Sequence, residues 1–137
     1  MSATRSSTQS VALAAPPEDV FAYVADAGNL PEWAIGFCKE IRSENGHSIV
    51  TTPSGEQVTI RQLANAELGT VDGILQFGPS IEGRTYTRVV PNGDGAEYVF
   101  TMLQPAGMPD EVFDGQVAEL GRELLVLKAR IETACPL

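Results

Sequence analysis

At 137 residues the chain has the length of one domain, enough to bury about two-thirds of the surface it exposes when unfolded. Hydrophobic residues at 43 % and charged residues at 20 % exclude both an intrinsically disordered chain and a membrane-embedded one. Nine Lys and Arg against eighteen Asp and Glu give a net charge of -9, which repels phosphate backbones and anionic lipid and argues against nucleic acid as a partner.

Residues 1–8 are rich in Ser and Thr and read as a disordered N-terminus, with a first strand over 9–15. Pro16-Pro17-Glu18-Asp19 then starts a helix: proline loses no hydrogen bond in a first turn, and carboxylates favour the positive end of the helix dipole. Val20, Phe21 and Val24 give that helix an apolar stripe, and Gly28-Asn29 ends it. Leu30-Pro31-Glu32-Trp33 reads as a second short helix.

From residue 35 to 103 turn signals recur at the intervals of an antiparallel meander. Asn45-Gly46 is a two-residue hairpin signal, because both central positions of a type I′ turn need positive φ. Pro53-Ser54-Gly55, Leu68-Gly69, Gly78-Pro79-Ser80 and Asn92-Gly93-Asp94-Gly95 mark the remaining turns. They delimit strands over 35–43, 47–52, 56–66, 70–77, 81–90 and 96–103, which with the first strand makes seven. The period then changes. Phe113, Val117, Leu120, Leu124, Leu127 and Ile131 recur at helical spacing after the Met108-Pro109-Asp110-Glu111 start, predicting one long helix with its stripe against the sheet. Gly121 inside it either permits a bend or lets the helix approach a strand closely. The domain runs over 9–132, and 133–137 is a tail.

Cys38 and Cys135 are too few for a disulfide framework, and His47 with two distant thiols fits no zinc spacing, so neither metal nor cofactor is expected. The apolar stretch 11–15 is shorter than a signal-peptide core, and no run reaches the roughly 20 apolar residues that span a bilayer. A cytoplasmic protein without membrane insertion is the expectation.

The order strand, two short helices, six strands and a long helix resembles the START-like SRPBCC superfamily. That superfamily includes polyketide cyclases and dehydratases and relatives of the birch pollen allergen. The local similarity lies in Ala15-Pro16-Pro17-Glu18-Asp19-Val20-Phe21, Asn29-Leu30-Pro31-Glu32-Trp33 and Val89-Val90-Pro91-Asn92-Gly93-Asp94-Gly95 with Phe100-Thr101. The resemblance implies an α+β helix-grip fold: a curved seven-stranded antiparallel sheet around the C-terminal helix, with a cavity between them for a small apolar or amphipathic molecule. It carries over no catalytic motif.

Strand alternation places Val71, Gly73, Leu75 and Phe77 on one face, Val58, Ile60 and Ala64 on another, and Tyr98, Phe100 and Met102 together, opposite Phe113, Val117 and Leu120 of the helix. These apolar faces admit two readings, packed core and cavity wall. Taken as a wall, the ligand-binding set is Trp33, Phe77, Tyr98, Phe100, Met102, Phe113, Val117 and Leu120, with Trp33 a lid at the cavity mouth or an anchor for the short helices. A two-residue loop at Gly93-Asp94 pairs 89 with 98, 87 with 100 and 85 with 102, which sends Arg84, Tyr86 and Arg88 outward; a bulge would turn them into the cavity.

Acid–base groups are sparse. Glu56, Asp72 and Glu82 read as solvated strand carboxylates, His47 as an exposed residue at a strand start, and Cys38 as a small buried hydrophobe. Lys39 shares parity with Phe37 and Ile41, so it points inward unless a bulge turns it out. Three functions remain open. Binding of a small hydrophobic molecule comes first, and a polyketide aromatase/cyclase or dehydratase working through Lys39, Arg84, Tyr86 or Arg88 second. The third is a module recruiting a protein partner through its acidic surface or the edge strand at 9–15.

Overall fold

The computed structural model describes residues 2–137. The first strand, β1 (Ser6–Leu13), leads into α1 (Pro17–Val24), a single 3-10 turn at Ala27–Asn29, and α2 (Leu30–Trp33). Six strands follow: β2 (Glu40–Glu44), β3 (His47–Thr51), β4 (Gln57–Asn65), β5 (Thr70–Phe77), β6 (Ile81–Asn92) and β7 (Gly95–Leu103). The chain closes with α3 (Asp110–Ala134). All seven strands form one curved antiparallel sheet in the order β1-β7-β6-β5-β4-β3-β2, so every connection is a hairpin except the helical excursion between β1 and β2.

The turn chemistry sets the register. Asn45 and Gly46 have φ of 52° and 81°, the left-handed pair a type I′ hairpin requires. Asn92 pairs with Gly95, leaving the two-residue loop Gly93-Asp94, and Val89, Thr87 and Thr85 face Tyr98, Phe100 and Met102. With that register fixed, alternation buries Thr87 and Val89 and exposes Arg84, Tyr86 and Arg88 on the outer face.

Two stretches depart from the sequence expectation. Strand β1 begins at Ser6 rather than at residue 9, pairing Ser6 with Leu103 and Gln9 with Phe100. Its Ser and Thr side chains alternate in exposure along a strand whose other face is wet, and polar residues are compatible with that position. Just before it, the Arg5 carbonyl accepts from Gln104 N–H at 2.8 Å, and the Arg5 guanidinium pairs with Asp110 and Asp114 of α3.

The strand expected over 35–43 starts only at Glu40. After α2 the chain makes a tight turn instead, with Phe37 and Cys38 N–H donating to the Ala34 carbonyl at 3.0 and 2.7 Å. That turn cancels the strand parity on which an inward Lys39 depended, and Lys39 is exposed.

Buried side chains form two clusters. One joins α1 and α2 to β1, β5, β6, β7 and α3, through Val20, Trp33, Tyr98, Leu120, Leu124, Leu127 and Ile131. The other, Cys38, Val50, Val58, Ile60 and Leu75, lies on the β3–β5 side of the sheet. Each large aliphatic side chain buried this way contributes about 2 kcal/mol by removal from water. The space between sheet and helix is bordered by members of both clusters, and it remains open.

Candidate functional site

That space is a cavity of about 410 Å³. Its floor is the concave face of the sheet, where alternation turns Val58, Ile60, Val71, Leu75, Phe77, Tyr98, Phe100 and Met102 inward. Gly73 lowers the floor at its centre, since a Cβ there would stand 2.7 Å from Thr85 Oγ1. The exposed residues Ser54, Glu56, Val112 and Gly115 rim the opening, between the β3–β4 turn and the first turns of α3.

One wall is aromatic. Trp33 packs edge-on to Tyr98 with ring centroids 6.3 Å apart, and Tyr98 stands edge-on to Phe100 at 6.2 Å. Trp33 is only 4 % exposed, so it joins the α2 segment to the sheet and lines the cavity at once. Burial pushes the Tyr98 hydroxyl up to about 12, so it stays a neutral donor or acceptor. Thr87 donates to the Val71 carbonyl at 2.6 Å, tying β6 to β5 within the cavity floor.

The helix presents a different face from the one its apolar stripe suggested. Leu120 lines the cavity, but Phe113 and Val117 do not; Val112, Gln116, Glu119 and Glu123 stand there beside Leu120. Phe113, 1 % exposed, carries the Arg5 guanidinium over its ring at 5.4 Å. The Val117 carbonyl accepts from Gln9 Nε2 at 2.9 Å, and a Cβ on Gly121 would meet Gln9 Oε1 at 3.1 Å. Gly121 thus serves close approach to β1 rather than opening the cavity. The stripe reports removal from water, and β1 removes water as well as the sheet floor does.

Glu123 is the group that the sequence reading passed over. It sits one turn further along α3 than Glu119, 6 % exposed and lining the cavity. Its Oε2 accepts from the Gly36 and Phe37 N–H groups at 3.1 Å each, which fastens the turn after α2 onto α3. Burial and the neighbouring Glu119 raise its pKa, the two N–H groups and Arg122 lower it, and the balance stands at about 7. Arg122 pairs with Glu119 at 2.7 Å. A sequence signal existed: Glu119 and Glu123 are one turn apart and flank Leu120 and Leu124, so they border the buried stripe.

The other acid–base candidates are placed elsewhere. Glu82 is exposed on the outer face and Asp72 lies across from Tyr86 there, whereas Glu56 stands at the cavity rim. His47 pairs across the β2–β3 hairpin with Glu44, away from the cavity. Cys38 is buried, its thiol pushed up to about 11 by desolvation and by Glu123. The edge strand β1 is tied to α3, with Lys128 Nζ donating to the Ala12 carbonyl at 2.9 Å and Ala14 N–H donating to Glu132 at 2.8 Å. Among the described residues no helix is long and apolar enough to cross a membrane.

Solved structures share this architecture at low identity. The Zhui aromatase/cyclase from Streptomyces sp. R1128 superposes with a TM-score of 0.74 at 13 % identity, over 94 % of both chains. A START superfamily protein from Mycobacterium smegmatis gives 0.70 at 17 % identity, over 94 % of this chain and 98 % of its own. Ara h 8.0201 gives 0.69 at 14 %, over 95 % and 99 %. No curated protein matches the sequence. The family model described as polyketide cyclase / dehydrase and lipid transport matches residues 4–132. The chain therefore belongs to the polyketide cyclase / dehydrase and lipid transport family, within the START-like SRPBCC superfamily.

Proposed function

We propose that the chain binds one small, largely apolar molecule between the sheet and α3. The observation that carries this reading is the cavity itself: about 410 Å³, within the range of ligand sites, with an aromatic wall and few polar groups. Trp33, Tyr98, Phe100, Met102, Phe77 and Leu120 supply the apolar contact, and Glu123, Thr85 and Thr87 the polar contacts that orient the ligand. Native mass spectrometry of protein purified gently from its own host, followed by organic extraction, tests it. A stoichiometric small molecule supports the reading, and its loss in Met102→Trp, which fills the cavity from its floor, places it there. Protein that carries nothing, and takes up no apolar dye that Met102→Trp excludes, overturns it.

Glu123 favours a second reading, a cyclase or dehydratase acting on a polyketide-like substrate. A carboxyl with a pKa of about 7 on a cavity wall exchanges protons at neutral pH, as a general acid or base must. Turnover of a poly-β-keto thioester that Glu123→Gln abolishes and Glu82→Gln retains would support it. Equal turnover by both variants would remove it.

A further inference from the structure

The polar groups of the cavity differ in kind from its apolar floor, and three of them are carboxylates. Glu123 lies on the helical wall, Glu119 one turn nearer the opening, and Glu56 at the rim. Among the described residues the only basic one along the lining is Arg84, and strand alternation sends its guanidinium to the exposed outer face with Tyr86 and Arg88. Arg122, the cation nearest Glu123 on α3, is paired with Glu119. An anionic headgroup entering this cavity would find carboxylates and, among the described residues, no free cation.

Glu123 is also only half used. Its Oε2 takes both backbone N–H groups, whereas Oε1 has no protein partner among the described residues. No buried side-chain oxygen or nitrogen of the described residues lacks a partner, so Oε1 is not sealed inside the protein, and the cavity is a space that Glu123 lines. Unpaired acceptors in an apolar cavity favour ligands that bring a donor, and a charged donor most of all.

We infer that the cavity selects an amphiphile whose polar end is a hydrogen-bond donor, an amine above all, seated on Glu123 Oε1, and that it rejects ligands ending in a carboxylate. This rests on the binding reading above and narrows its ligand class. The groups facing Glu123 are Glu119 and Arg122 on its own helix, and the Gly36 and Phe37 N–H groups and the Cys38 thiol on the turn packed against it. None of them presents a free positive charge to Oε1 that would oppose a cationic ligand.

The test is displacement of the neutral dye N-phenyl-1-naphthylamine by decylamine, decanol and decanoate, which share one chain and differ in the headgroup. Wild-type protein is expected to prefer decylamine over decanoate by at least about tenfold, as a charge-assisted hydrogen bond implies. Glu123→Gln should bring decylamine and decanol to within about twofold of each other. Glu82→Gln, which changes net charge equally on the outer face, should keep the wild-type order. In wild-type protein decylamine should also bind more tightly as pH rises from 5.5 to 8.5, because Glu123 ionises while the amine stays charged; this readout does not depend on the variant folding. Decanoate competing as well as decylamine, or a preference that survives in Glu123→Gln, overturns the inference and leaves the binding reading intact. Failure of the folded wild-type protein to take up the dye overturns both.

Discussion

A buried carboxyl with a pKa above its ordinary value makes the fold less stable as pH rises. Glu123 titrates at about 7 in the folded chain against 4.5 for an ordinary glutamate, so between those values the native state holds a proton that the unfolded chain has released. Stability contributed by the neutral form is therefore full below about 4.5, declines through the interval, and is gone above about 7. At 1.36 kcal/mol per pH unit the whole interval amounts to about 3 kcal/mol. Glu123→Gln keeps the shape and an oxygen that can accept from Gly36 and Phe37, without ever ionising. The variant should match wild type near pH 4.5 and exceed it at pH 8 by up to about 3 kcal/mol, or roughly 10 °C in Tm for a domain of this size. Urea denaturation of both proteins at pH 4.5, 6, 7 and 8 measures the difference directly. Shifts at other carboxylates such as Asp110 and Glu132, which run the other way, cancel between the two proteins. A variant less stable than wild type by the same amount at every pH would refute the reasoning, since Glu123 would then act by packing or hydrogen bonding alone.

Other consequences follow from single contacts. Thr87→Val removes the buried hydroxyl that donates to the Val71 carbonyl and should cost about 1 kcal/mol in urea denaturation; a stability gain would show that the bond contributes nothing. Gly69 has φ of 72°, and a Cβ there would lie 2.4 Å from the Val89 carbonyl oxygen, so Gly69→Ala should cost about 2 kcal/mol or more, and an unchanged Tm would contradict that geometry. Trp33→Ala should lose about 3–5 kcal/mol and weaken binding of apolar dyes; loss of dye binding with stability unchanged would assign Trp33 to the ligand alone. Cys38, buried and with its thiol raised to about 11, should resist alkylation by iodoacetamide at pH 8 while Cys135 reacts, and mass spectrometry showing equal rates would contradict its burial.

Hairpin chemistry, strand alternation and helical period are local properties, and they determined most of the architecture from the residues alone. Asn45-Gly46 and Gly93-Asp94 set turns whose length fixes register, and register decides which side chains face inward; hence Arg84, Tyr86 and Arg88 were legible as outward and Tyr98, Phe100 and Met102 as inward. The long helix and its buried stripe were legible for the same reason. Three features were decided by the tertiary structure. The turn at 34–38 replaced the start of a strand because its N–H groups find the Ala34 carbonyl and the Glu123 carboxylate, partners up to 87 residues away. Phe113 and Val117 left the cavity because α3 rests on β1, and a stripe tells only that a face is dry. Glu123 became the polar centre of the cavity because burial, a neighbouring acid and two backbone donors converge on it in space. The pKa of a glutamate is set by that convergence, and its position in the sequence encodes only the helix face it occupies.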